Sequence, residues 1–281
     1  MMRAVPFIHA IVSPDTEARR PAAGTRLRVA RRLQSIAIGS VIPLAVLGVW
    51  SLAVAWHLMR SQILPSPVTV WQTGIDLLRG GDLFAALAVS LQRVVFGLLI
   101  GGTLGFILGV AMGRSRTIDA YLGPTVRTIC QIPTIAWLPV FMLFFGIGEE
   151  LKLAIIAKAA FLPLLLNSFA GMRTAPARFH EVADVLELSA WQRLRLVTIP
   201  SALPLLAAGF RLALSNAWHV LIVVEMLASA AGIGHMMAWS RTLFQLDVVF
   251  VTIAVIGATG WLMDAGMRWA ERRLMPWSLP A

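Results

Sequence analysis

Few residues of this 281-residue chain are of a type and spacing suited to covalent chemistry. Its five histidines, His9, His57, His180, His219 and His235, are scattered, and Cys130 is its single cysteine. One cysteine excludes an intrachain disulfide, and no His, Cys and carboxylate set has metal-ligand spacing. No glycine-rich stretch ends in Gly-Lys-Ser/Thr to cradle a phosphate. Catalytic residues, metal and cofactor are therefore all expected to be absent. The ionisable residues that stand out lie within apolar runs, where a charge is costly and marks a functional candidate. Arg211 is a candidate to face an interior and attract an anion, with Asn216 and His219 lining a polar path beside it. The bland alternatives are snorkelling or pairing for Arg211 and a hydrogen-bonded packing role for His219. Lys158 and Asn167 raise the same choice. Glu225 stands fourteen residues from Arg211, about 21 Å along one helix, so it cannot be its partner there and is expected to support the outer gate region or a neighbouring loop. Asp264 is expected to pair with Arg268, four residues on.

A second candidate is the stretch from Glu181 to Pro204. Val182, Val185, Leu186 and Leu188 group apolar side chains on one helical face, while Glu181, Asp184 and Glu187 stay polar. Leu194, Val197 and Ile199 make a second amphipathic run that Pro200 stops. The pattern alone describes two short helices at a polar boundary, which a membrane surface would accommodate as well as a protein partner.

The elements that must position these residues are membrane spans. The chain is 58% hydrophobic and only 14% charged, with a mean hydropathy of +0.78; a soluble domain carries roughly a quarter charged residues. Long apolar runs in lipid must satisfy their backbone groups internally, so they read as helices. The reading is an all-α polytopic membrane protein with six transmembrane helices, at residues 36–58, 83–112, 121–147, 153–172, 202–227 and 248–267. Residues 1–35 form a cytoplasmic N-terminal arm, 36–58 the first transmembrane helix, 60–82 a polar connection and 83–267 the core. Within the core lies a cytoplasmic loop at 173–199, and 268–281 form a cytoplasmic tail. The third span is interrupted by Pro124, Pro133 and Pro139, which predicts kinks. In the second, Gly97, Gly101, Gly105 and Gly109 recur every fourth residue, so one face admits a neighbouring backbone closely. With both termini inside, sixteen of the 24 Lys and Arg residues fall on the cytoplasmic side, as the positive-inside rule requires. The net charge of +10 is thereby a matter of topology and lipid contact, and nucleic acid is not an expected partner.

The Glu181–Pro204 stretch resembles the cytoplasmic loop of permeases in bacterial binding-protein-dependent ABC importers. That pattern is E-A-A, three residues, G, about nine residues, then I-x-L-P. Glu181, Ala183, Ile199 and Pro200 match it, Val182 replaces an alanine, and Glu187 stands where glycine is usual. A glutamate at positive φ costs on the order of 1 kcal/mol, so the turn is expected to be displaced or the helix continued. Ile63–Pro67, Gln131–Pro139, Phe145–Glu149, Glu225–Leu227 and Gly232–Gly234 look like the branch that imports aliphatic sulfonates, taurine or nitrate. The resemblance implies a type I (MetI-like) importer fold in the bacterial inner membrane, with Glu181, Ala183, Asp184, Glu187, Ser189 and Pro200 coupling to a separate ABC-type ATPase. It further implies a periplasmic or lipoprotein solute-binding protein and a permease homodimer, with ATP hydrolysis on the partner. The alternatives are a self-sufficient secondary transporter or channel, which would need internal repeats, and a membrane enzyme, which would need a catalytic constellation.

Overall fold

A computed structural model describes residues 23–60, 63–174 and 177–275. Among these, every regular element is helical. The α-helices are α1 (Ala23–Ala55), α2 (Pro67–Gly80), α3 (Asp82–Arg114), α4 (Arg116–Cys130), α5 (Leu138–Phe145), α6 (Glu149–Arg173), α7 (Ala177–Val185), α8 (Ala190–Arg193), α9 (Ile199–Ala228), α10 (Ile233–Thr242) and α11 (Leu246–Leu274). The chain divides into two units, residues 1–56 and residues 57–281.

The first unit contains α1, whose described apolar stretch is Gly39–Ala55. The helix begins at Ala23, so residues 23–35 of the expected arm are helical, and residues 1–22 lie outside the described residues. Residues 276–281 of the expected tail lie outside them too, while 268–274 continue α11.

In the second unit, α3, α6 and α9 pack together around Val94, Leu98, Ile156, Ala160, Leu164, Ala213, Ala217, Trp218 and Leu221. The glycine row of α3 lies against α6. A Cβ on Gly101 would strike the Ala157 carbonyl, and one on Gly109 would stand 2.8 Å from the Ser168 Cβ. Gly97 meets Ile156 in the same way, and Gly105 meets the Phe161 carbonyl. Small side chains at this seam bring two backbones together where lipid supplies no hydrophobic drive.

Among the described residues, four helical stretches are long and apolar enough to cross a membrane: α3, α6, Ala190–Ala228 and α11. The pair Arg116–Cys130 and Thr134–Phe145 makes a fifth if it is one span. Six spans were expected; the remaining one corresponds to the shorter stretch Gly39–Ala55. The fifth also departs from its expected kinks, because its halves meet at 96°. Pro133 stands at the break, whereas Pro124 lies inside α4 and Pro139 in the first turn of α5, where a missing donor costs least.

Residues 67–80 of the expected polar connection are a helix. Ser66 caps α2 by accepting from Thr69 N–H, and Pro67 opens its first turn. Thr73 Oγ1 donates to Asp247 Oδ2 at 2.7 Å, tying α2 to the start of α11.

Candidate functional sites: a capped loop and a buried ion network

The stretch singled out by its amphipathic pattern folds as α7, a turn, α8 and the entry to α9. Glu187 has φ +49°. Its N–H donates to Asp184 C=O and the Leu188 N–H to Ala183 C=O, both at 3.0 Å. Those two bonds close a Schellman turn with Glu187 in the left-handed position usually held by glycine. The turn is neither displaced nor absorbed into a longer helix; the glutamate adopts the strained conformation.

Neighbouring bonds hold it there. Arg193 Nε donates to Leu188 C=O at 3.0 Å, and the same guanidinium pairs with the Asp184 carboxylate. Ser189 then caps α8 reciprocally: its hydroxyl accepts from Gln192 N–H while the Gln192 carbonyl accepts from Ser189 N–H at 2.9 Å. From Leu194 to Thr198 the helix widens to one π-helical turn, with Ile199 N–H bonded to Leu194 C=O. Pro200 follows without a donor of its own.

Glu181, Asp184, Glu187, Ser189 and Pro200 are exposed on this unit, and Ala183 is buried at 1%. The loop presents apolar groups as well: Val185 is 83% exposed, Leu186 64% and Trp191 67%. Behind them Phe179, Val182, Leu188, Leu196, Val197 and Pro204 line an apolar groove of about 670 Å³. An exposed apolar face rimmed by carboxylates is chemistry suited to a protein partner.

Of the ionisable candidates within the spans, Arg211 and His219 line one polar cavity of about 260 Å³ between α9 and α11, with Ser215 and Asp264. Arg211 Nη1 lies 3.5 Å from Glu271 Oε2 on α11, and Asp264 pairs with Arg268 as expected. Asn216 is exposed and does not line this cavity.

The densest polar cluster was not assembled from the sequence. Arg93 of α3 binds Glu149 at the start of α6 through two parallel bonds, Nε to Oε2 at 2.8 Å and Nη2 to Oε1 at 2.6 Å. Its Nη1 donates to Glu225 Oε1 and to Ala231 C=O, each at 2.7 Å. Glu225 is fully buried and accepts also from Ser90 Oγ and, at 3.0 Å, from Gly234 N–H. Ser90 Oγ accepts from Ile233 N–H at 2.9 Å, and Lys152 Nζ donates to Glu149 at 2.7 Å. Two cations and two carboxylates therefore close a neutral network joining α3, α6, α9 and the start of α10. Gly232, at φ +107°, lies directly over the Glu225 carboxylate, where no Cβ fits. The signal lay in three of the resembling motifs, which contribute Glu149, Glu225 and Gly232–Gly234; Arg93 belongs to none of them.

Residues 101–276 match the family described as "Binding-protein-dependent transport system inner membrane component", and the chain belongs to that family. It is the membrane permease component of an ABC importer. It is 35% identical over 239 residues to a putative aliphatic sulfonates transport permease protein of Bacillus subtilis, covering 85% of this chain and 87% of that protein. It is 32% identical over 251 residues to the taurine transport system permease protein of Escherichia coli, covering 88% and 90%. It is 29% identical over 252 residues to the bicarbonate transport system permease protein of Synechococcus elongatus, covering 84% and 90%.

Proposed function

We propose that this chain, as a homodimer in the bacterial inner membrane, moves a small anionic solute into the cytoplasm, with an aliphatic sulfonate, taurine or nitrate as first candidates. The energy comes from ATP hydrolysis on a separate ATPase subunit. Both termini and the α7–α8 loop face the cytoplasm, and the Arg93–Glu225 network lies toward the outer face. Solute arrives on a separate binding protein.

The observation that carries the coupling role is the braced loop. Two short helices, fixed by the Schellman turn, the Ser189 cap and Arg193, offer Glu181, Val185 and Trp191 as one stiff surface. A stiff surface transmits displacement; a loose loop would absorb it. The anionic character of the solute is supported by the relatives, which are named for substrates that carry a sulfonate or a carbonate group.

The test is reconstitution with the cognate ATPase and binding protein, followed by a screen of ATP hydrolysis and uptake against sulfonates, taurine, nitrate, bicarbonate and neutral pyrimidines. Anion-specific stimulation is expected. Stimulation by neutral solutes alone overturns the choice of solute, and absence of a complex with the ATPase overturns the coupling surface.

A further inference from the structure

Between Cys130 and Thr134 the chain leaves helical geometry, and Gln131, Ile132 and Pro133 are exposed on this unit. Lys158, which meets the residues just after this break, lies nine positions into the 25-residue α6, about 14 Å from one end and about 22 Å from the other. The break is thus within the hydrocarbon depth. Irregular backbone at that depth does not face lipid; it lies against protein or lines a water-filled cavity. The exposed side of residues 131–133 accordingly faces other protein or the solute path.

Immediately behind the break are two buried hydrogen-bond donors of one kind. Lys158 Nζ and Trp137 Nε1 are both sealed from solvent, and among the described residues neither has a hydrogen-bond acceptor. The Lys158 ammonium stands 5.3 Å from the centre of the Trp137 ring, a cation–π contact that compensates part of its charge and none of its hydrogen bonds. A buried ammonium without a carboxylate is costly; it either sheds its proton or takes up an anion, and an anion that binds there holds it in the charged form. This contrasts with Arg93 and Lys152, whose carboxylates are both in place.

The geometry points to Lys158 and the Trp137 indole N–H as the site that binds the negatively charged group of the solute at the break between α4 and α5, an assignment that rests on the reading of the chain as an anion permease. The ammonium supplies charge, and the indole supplies a directed donor. Both are reached when the 131–137 segment shifts away from α6. Binding is thereby linked to movement of the broken span, and an apolar or cationic solute gains nothing there.

The test uses the full complex with ATPase and binding protein, in proteoliposomes, with taurine, ethanesulfonate, nitrate and bicarbonate as probes. Lys158→Met is expected to lower uptake of the transported anion more than tenfold while leaving subunit association and thermal stability equal to or above wild type. A purely structural lysine would lower stability along with uptake. Trp137→Phe, which keeps the ring and loses the donor, is expected to raise the KM for uptake severalfold. Uptake by Lys158→Met within twofold of wild type overturns the site. Structures of the complex in iodide, inward- and outward-open, give an independent reading. Iodide within hydrogen-bonding reach of both nitrogens in either state supports the site, and its absence from both overturns it. Were wild type to import none of the four solutes, the proposed solute would fall, and the iodide structures would still decide the site.

Discussion

Arg93 Nη1 and Glu225 Oε1 lie 2.7 Å apart although 132 positions separate them in the chain, with 6% and 0% of their side chains exposed. Breaking such a pair from one side strands the other charge, which costs about 3–5 kcal/mol. Glu225→Leu and Arg93→Met are each expected to lower the unfolding temperature of the purified complex sharply. The double variant, which strands neither of the two charges against the other, is expected to recover part of the loss. Additive losses in thermal unfolding would show that the two side chains act separately.

Glu187 occupies a left-handed position that glycine adopts freely. Glu187→Gly is expected to stabilise the α7–α8 turn by about 1 kcal/mol, seen as slower amide exchange at the Glu187 and Leu188 N–H groups. Glu187→Ile, whose branched side chain is worse at positive φ, is expected to speed it. Faster exchange in the glycine variant would contradict this account of the turn.

Because Ala183 is buried and Val185 is 83% exposed, charge introduced at position 185 probes the surface without disturbing its packing. Val185→Arg combined with Glu181→Arg is expected to reduce association with the ATPase at least tenfold, measured by co-purification and by solute-stimulated hydrolysis. The amide-exchange pattern of α3 and α6 should stay as in wild type. Unchanged association would remove this face from the coupling surface.

A Cβ at Gly101 meets backbone, whereas one at Gly257 meets nothing within 4 Å. Gly101→Ala is therefore expected to cost about 1–3 kcal/mol through overpacking, and Gly257→Ala to be neutral or slightly stabilising. Thermal unfolding of the two variants side by side checks the difference. Equal behaviour would mean that the α3–α6 seam yields where it is drawn tight.

What could be read from the sequence was what is local and periodic. Glycines four apart foretell a close helix approach because the 3.6-residue repeat alone sets their face. The pairing of Asp264 with Arg268 is equally local. Lost were relationships that only the tertiary fold creates. Arg93 sits in an apolar run with nothing nearby to declare its carboxylates, which arrive from α6 and α9. The helix at 67–80 is short and bounded by prolines and glycines that read as a connection, although Ser66 and Pro67 are an ordinary helix opening. Pro133 announced a disturbance and not its size, because the angle between α4 and α5 is decided by what each packs against. At Glu187 local sequence shows only the backbone strain of a left-handed glutamate, and the bonds from Arg193 that hold the turn exist only once the loop is folded.

The π-helical turn at Leu194–Thr198 keeps α8 and α9 in one unbroken stretch, Ala190–Ala228, of 39 residues. Such a stretch is about 58 Å along its axis if straight. Trp191 lies one residue from its start and Glu225 three residues short of its end, with the π-helical turn, Pro200 and Pro204 between them. On the proposed coupling role, a displacement of the short helices would travel along this one stretch toward the clasp formed with Arg93.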